Sequence, residues 1–438
     1  MKLKNSFPRK GAKTQRWAMD FLCAFAPVRE KFFLALFTSL LLLSVDARAQ
    51  SDWSQWGGPN RTFVVNSKGL AASWPESGPR QLWSRPLGAG HSGIIASGNT
   101  LYTMYSEGEQ EIVIALAADS GKTIWEHKYD APHAGMNYEH GVGPHSTPLL
   151  VGDLLYTVGS IGKLLALDKK TGKVAWSHDL WKEFGGKKMD RGYSCSPLAY
   201  KNTVILTLGG PGQTLIAFNQ RDGTVAWKNQ TLDMSPSSPI IINVNGQDQL
   251  IAFLGKVVAG IDPNNGNLLW SHPHVTSWGL NITVPVWGND NVLFISSAYN
   301  GGSRALKLTQ KDGKTTAEEL WAQPRMRIHH GTAIRIGDYV YGSSGDFGPA
   351  FFAAINVKTG EMPYQDRTFP KTNFVLADGK LIILDEDGNL ALATATPAGL
   401  KVISKASVLK NLAWTAPTLV GTKLYLRDRR TIAALDLS

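Results

Sequence analysis

Past residue 90 the chain runs as short apolar stretches broken by turn residues, and the breaks come too often for helices. The stretch 146–180 shows the pattern. Thr147 to Val151 reads as a strand, Gly152-Asp153 as a hairpin turn, and Leu154 to Val158 as a second strand. Gly159 to Gly162 turns again, Lys163 to Asp168 is a third strand, Thr171-Gly172 turns, and Lys173 to His178 is the outer strand. This predicts a four-stranded antiparallel unit joined by tight turns. The same grammar marks units over 94–129, 196–230, 238–273, 283–324, 332–367 and 374–407. Trp83, Trp125, Trp176, Trp227, Trp270 and Trp321 end their units at spacings, by subtraction, of 42, 51, 51, 43 and 51 residues. Repeats of about 40–50 residues with four strands each predict a β-propeller.

Ala416 to Ser438 supplies only three strands of a further unit. The missing outer strand stands at the other end of the sequence, Gln81 to Pro86. Pairing the two would close the ring and hide two sheet edges. The expected fold is therefore all-β, an eight-bladed propeller of four-stranded antiparallel blades, with an N-terminal strand completing the C-terminal blade. Seven blades is the alternative, because Tyr364 and Val402 replace Trp in two weak repeats. An aromatic ring at the outer-strand position buries about 150–250 Å² against a neighbour. The six Trp are accordingly read as blade-docking residues.

The first 49 residues change the charge picture. Lys2 to Lys31 form a basic leader, Phe32 to Val45 a 14-residue largely apolar run, and Ala47-Arg48-Ala49 a small-x-small cleavage pattern. The run is short for a bilayer span, which needs about 20 residues. We expect a signal peptide over 1–49, an arm over 50–80 and one propeller over 81–438, with a periplasmic or secreted location and no transmembrane segment in the mature chain. Met19 is an alternative start, and an uncleaved anchor the alternative to cleavage. The whole chain carries 45 Lys and Arg against 35 Asp and Glu. Residues 1–49 hold nine of the former and three of the latter, so the mature chain has 45−9 = 36 against 35−3 = 32, net +4. So modest a balance excludes nucleic acid as the expected partner. Cys195 is the one cysteine after residue 49, which excludes an internal disulfide; a small buried residue is its expected role, ahead of a nucleophile.

The phrase Ala166-Leu167-Asp168…Thr171-Gly172-Lys173…Trp176, with Ala115…Ser120-Gly121-Lys122…Trp125, resembles the pyrroloquinoline quinone (PQQ) enzyme repeat. Trp53 to Arg61 is similar to the start of exported bacterial PQQ-like propeller proteins. The resemblance covers almost the whole mature chain. It is shared by quinoprotein alcohol dehydrogenases, which are enzymes, and by BamB-like outer-membrane assembly proteins, which are scaffolds. The adjacent Cys-Cys pair and the Trp-Asp-Tyr-Asp segment of many of the enzymes are absent, and no Glu, Asn and Asp set for Ca²⁺ falls on matching positions. The resemblance thus implies an exported binding or assembly scaffold without cofactor, whose partner is another envelope protein or an anionic small ligand. The alternative it implies is a periplasmic dehydrogenase using PQQ with Ca²⁺. BamB-like proteins usually carry a lipid-anchor Cys, which is missing here.

The segments that lead into the inner strands occupy equivalent places around the ring axis. They are residues 90–92, 144–146, 191–195, 234–237, 281–283, 329–331, 371–373 and 411–414; they contribute His91, His145, Arg191, Asn281, His329, His330, Lys371 and Asn411 and hold no Asp or Glu. Arg binds carboxylates bidentately and His changes charge near neutrality, so these residues form a candidate rim for an anionic ligand or acidic segment. The alternative is that they satisfy backbone groups at strand starts. His133, His140 and His145 share one loop, but their spacing matches no standard zinc pattern, and neither a metal site nor catalytic residues are assigned. Export with cleavage after Ala49 should give a secreted or periplasmic product that starts at Gln50 by N-terminal sequencing; a product retaining the leader would contradict it.

Overall fold

Eight sheets, each with four antiparallel strands, follow one another along the chain in the computed structural model, seven of them with those four strands consecutive. It describes residues 52–137, 139 and 141–438; the predicted signal peptide lies outside the described residues. Blades 1 to 7 span 95–130, 149–179, 198–229, 240–273, 286–323, 328–366 and 372–407. Blade 8 takes three strands from 418–436 and its outer strand from Arg80–Pro86. That strand pairs antiparallel with the last one, Trp83 opposite Ala434, so the two ends of the ring meet in one sheet. The expected eight blades and their closure are therefore what the chain forms, and strand limits differ from the sequence reading by a few residues at most in the well-marked repeats.

The recurring phrase has a physical explanation residue by residue. Each Trp sits opposite a small residue on the third strand: Trp125 opposite Ala115, Trp176 opposite Ala166, Trp227 opposite Ala217, Trp270 opposite Gly260 and Trp321 opposite Ala305. The register slips by one residue directly before each of these Trp. Such a bulge re-aims a side chain and sharpens the twist. The indole then lies on the glycine turn of the next blade, not of its own. A methyl group on Gly121 would come within 2.6 Å of the Trp83 ring, one on Gly172 within 2.5 Å of Trp125, and one on Gly223 within 2.6 Å of Trp176. Gly266 under Trp227 and Gly360 under Trp321 repeat the contact. The indole N–H completes the seat by donating to the carbonyl three residues before that glycine: Ala118, Lys169, Gln220, Pro263 and Val357. These five glycines also have positive φ, between 68° and 77°. Only glycine meets both demands at low cost.

Three of the eight seams depart from the pattern, those after blades 4, 6 and 7; in blade 7 Val402 stands in the Trp register opposite Ala393. Blade 5 ends its third strand in a long hairpin, Gly302–Lys311 with Lys314–Gln323, whose turn glycine, Gly313, has nothing within 4 Å of an added methyl group, so Trp270 has no such seat there. Its N–H donates instead to the buried Gln249, which in turn donates to Thr315 of blade 5. In blade 6 Tyr364 occupies the Trp register opposite Ala354.

A second set of bonds laces the inner strands. Ser92 donates to the Ser146 carbonyl, Thr147 N–H to Ser196, Ser196 N–H to Ser238, and Ser237 to the Thr283 carbonyl. Thr283 donates to Ile328, Phe374 N–H to Thr332, Asn373 to the Trp414 carbonyl, and Thr418 to Ile94. The circuit touches every blade. At the closing seam Arg427, fully buried, donates to the carbonyls of Gly88, Gly90, Ser92 and Met104 and to the Thr103 hydroxyl, tying blade 8 to blade 1. Burial lowers its pKa to about 9.

The arm crosses the end of the ring where the inner strands finish. Trp53 bridges Ala96, the Leu150 N–H donates to Ser54, and Val64–Val65 add a parallel fifth strand to blade 7. That strand was not legible beforehand, because two residues carry no period. Trp176→Ala should cost about 3–5 kcal/mol in denaturant unfolding. Gly223→Ala should cost roughly 2–4 kcal/mol alone, from strain and collision together. In the Trp176→Ala background only the left-handed strain should remain, about 1–2 kcal/mol. Additive losses would sink the proposed seat.

Candidate functional site

The lacing explains what the strand-start segments are for. Their Ser and Thr side chains bind the neighbouring blade. Residues beside these hydroxyls, or elsewhere in the same segments, gather at the mouth of the ring opposite the arm. His91 and His145 stack at 5.5 Å with rings 18° apart. His91 also packs on Trp414 at 5.3 Å, and Trp414 on His330 at 4.5 Å. His330 meets His329 at 4.8 Å, and His329 meets Tyr299 edge-on at 4.9 Å with a hydrogen bond between Tyr299 OH and His329 Nε2. Five of these six come from segments leading into inner strands of blades 1, 2, 6 and 8; Tyr299, from the blade 5 hairpin, extends the arc. Rings with a positive edge and a negative face favour such tilted and offset contacts.

The arc runs on to an exposed apolar group. Trp278 lies 4.8 Å from Tyr299 and 5.4 Å from Phe347, which itself lies 5.6 Å from Tyr299. Trp278 is 61% exposed, Phe347 74%, and nearby in sequence Val275 60%. Other exposed large apolar residues, such as Ile124, Val174, Val225 and Leu268, sit singly on the outer strands of separate blades. Sequence reasoning missed Trp278, Tyr299 and Phe347, because they lie outside the phased segments. Their signal was a Trp and a Phe in loops lacking the outer-strand register.

Charge at the mouth is largely answered from loops outside those segments. Arg191 pairs with Glu139 at 3.1 Å. Glu386 accepts from the Trp414 indole at 2.8 Å and from the Lys371 backbone N–H at 3.3 Å. Arg327 pairs with Asp346 at 3.2 Å. Asn411 commits its side-chain amide to Asp428. Asn281 is fully buried and donates to the Leu254 carbonyl while accepting from Ser297. Loss of solvation, reinforced by the Arg191 charge and opposed by a bond at the Arg191 backbone, lowers His145 to about 4. The mouth is thus lined by aromatic and His rings, with carboxylates beside its arginines.

Among the described residues no three His, Cys, Asp or Glu side chains converge so as to hold a metal ion. His133 accepts or donates at Ser106 from the blade 1 side of its loop, and His140 lies outside the described residues. Cys195 is buried, and burial raises its thiol pKa. Ca²⁺ wants six to eight oxygen ligands, and among the described residues no acidic side-chain cluster offers a start on such a set.

Residues 108–363 match the family described as outer membrane protein assembly factor BamB. The BamB of Moranella endobia is 21% identical over 355 residues, 80% of this chain and 78% of that protein. The crystal structure of BamB from Moraxella catarrhalis superposes with a TM-score of 0.57 at 18% identity, over 81% of this chain and 97% of that one. A europium-containing methanol dehydrogenase superposes with a TM-score of 0.65 at 13% identity, over 86% and 89%. At such identities the structural likenesses speak for the fold.

Two imidazoles titrate far below the usual value. His274, fully buried, is lowered to about 3, first by burial and then by the charges of Arg304 and His272. Both His274 and His145 are neutral when folded and protonate near pH 6.5 when unfolded. The unfolded chain therefore binds more protons below that value. Stability should be level above about pH 6.5 and fall as pH drops towards 4. Urea midpoints of the His145→Gln/His274→Gln variant should fall less steeply across that window than those of wild type.

Proposed function

The chain belongs to the outer membrane protein assembly factor BamB family, and on that footing we propose that it is a non-catalytic envelope scaffold that docks a partner on the mouth face of its ring. One observation carries this reading: Trp278 and Phe347 form an exposed apolar pair that runs into the ring arc from Tyr299 to His145. Contiguous exposed apolar surface rimmed by polar groups marks an interaction site. Trp is enriched among residues that dominate binding energy. The partner is a periplasmic component of the outer-membrane assembly apparatus, the process named by the relatives. An envelope location belongs to this reading and is supported by the family model and by the leader-like sequence over 1–49.

The paired charges favour a partner that presents apolar side chains to the arc over a free anion held by the rim. A PQQ-dependent dehydrogenase is the competing reading, favoured by the structural likeness to methanol dehydrogenase. The lone Cys195 and the missing metal donors among the described residues support the scaffold instead. Purified periplasmic domains of the assembly machinery should bind the mature chain at least tenfold more weakly after Trp278→Ser/Phe347→Ser. Unchanged affinity would sink the mouth as the docking face. Dye-linked alcohol oxidation on adding PQQ and Ca²⁺ to pure protein would replace the scaffold by the enzyme.

A further inference from the structure

The arm shows how the inner strands of this ring take up extended chain. In a two-residue hairpin the closing pair exchanges backbone bonds, so the residue before it points its N–H and C=O away from the partner strand. In blades 1, 2 and 7 the closing pairs are Ser97–Thr100, Val151–Leu154 and Ala377–Lys380. The outward residues are therefore Ala96, Leu150 and Leu376, and the arm meets all three. Ala96 exchanges both backbone bonds with Trp53, the Leu150 N–H donates to the Ser54 carbonyl, and the Leu376 N–H donates to the Phe63 carbonyl. Trp53 and Ser54 are consecutive, so in extended chain their backbone groups point to opposite edges. The arm is thus wedged between blades 1 and 2, with one edge on each.

Blades 3 and 4 repeat this backbone pattern without the arm. Their closing pairs are Tyr200–Thr203 and Val244–Gln247, and the registers turn Ala199 and Ile241 outward. Among the described residues nothing bonds to the outward N–H and C=O of either. Both residues are partly exposed, and both line a cavity of about 450 Å³. Leu149 to Val151, Leu198 and Ile240 make its apolar side, and Ser54, Gln55, Pro59 and Asn60 of the arm make the other. The volume is that of a small-ligand pocket. The arm side is held in place: Gln55 donates to the Pro59 carbonyl at 2.9 Å and accepts from Arg61 at 3.2 Å. Arg61 also donates to the Pro197 carbonyl at 3.0 Å, just before the blade 3 inner strand. Arg61 is the charged residue on the wall, but its Nε and Nη2 are out of reach and its Nη1 is already bonded.

We infer that this cavity binds a short extended peptide segment of a partner chain, wedged between the inner strands of blades 3 and 4 as Trp53-Ser54 is between blades 1 and 2. Ala199 and Ile241 offer backbone donors and acceptors to two consecutive residues of the segment, one on each edge. Main-chain bonds supply the affinity in strand addition, and the walls choose the side chains. Apolar side chains fit against Leu149, Leu198 and Ile240, and small uncharged polar ones towards Ser54, Gln55 and Asn60. A charged side chain would lose its water there without gaining a counter-charge. The site lies at the arm end of the ring, apart from the mouth, and does not depend on the partner proposed for that face.

A blocked tetrapeptide of alternating valine and serine is the probe. Crystals of the mature chain soaked with it should show extended peptide bonded to Ala199 and Ile241. In solution the amide NMR signals of these two residues should shift saturably, with half-saturation below about 10 mM. Methylating the two central amides of the peptide should weaken binding about fivefold or more, because the strand bonds are lost. Ala199→Pro should do the same; it removes an outward N–H and leaves the ladder intact, as proline on a strand edge can. No peptide in the cavity and no saturable shift would overturn the site, as would peptide bound only at the mouth. Unchanged affinity of the methylated peptide, or of Ala199→Pro, would overturn it too. Should Ala199→Pro fail to fold, the two peptides compared on wild type decide it alone.

Discussion

Everything else in this molecule depends on one contact made between neighbours, the indole of one blade lying on the glycine turn of the next. It requires three residues at once: a small residue opposite the Trp, a bulge that turns the ring outward, and a glycine with positive φ that no other residue could replace without collision. The indole N–H bond to a fixed carbonyl sets the angle at which blades meet. A strand pair inside one blade cannot do this, because sheet bonds act only within the sheet. The contact therefore converts local hairpins into a closed ring.

The inner circuit of hydroxyl bonds does the same work near the axis. Because Ser and Thr at the strand starts bridge adjacent blades, nearby side chains are brought towards one mouth. A stack of imidazoles and indoles from distant sequence positions is the by-product of that lacing. At His145 loss of solvation outweighs the ordinary tendency of imidazole to charge near neutrality.

Arg427 and Arg61 show two outcomes of one problem. Both guanidiniums are out of water, and burial lowers both, to about 9 and about 10. At the closing seam the chain surrounds Arg427 with carbonyl oxygens, so it acts as a structural rivet. On the arm the chain leaves two N–H-bearing nitrogens of Arg61 unanswered while holding its backbone in an unfavourable region.

The sequence by itself determined the ring: the period, the number of blades and the strand that closes it. Those follow from local pattern, since Ala166, Gly172 and Trp176 each stand at a fixed distance along one hairpin. The same pattern also aligned His91, His145, His329 and His330 at equivalent places around the axis. Tertiary structure decided what those places contain. Glu139 and Asp346 arrive from loops of other phase and pair with Arg191 and Arg327, Glu386 accepts from the Trp414 indole, Asn281 and Asn411 turn into internal bonds, and Trp278, Tyr299 and Phe347 extend the mouth. The Trp–Gly seat likewise joins residues of different repeats, although both appear within each repeat. Period is a property of the chain, whereas burial, pairing and charge depend on which segments meet, and in a closed ring the decisive meetings are between neighbours distant in sequence.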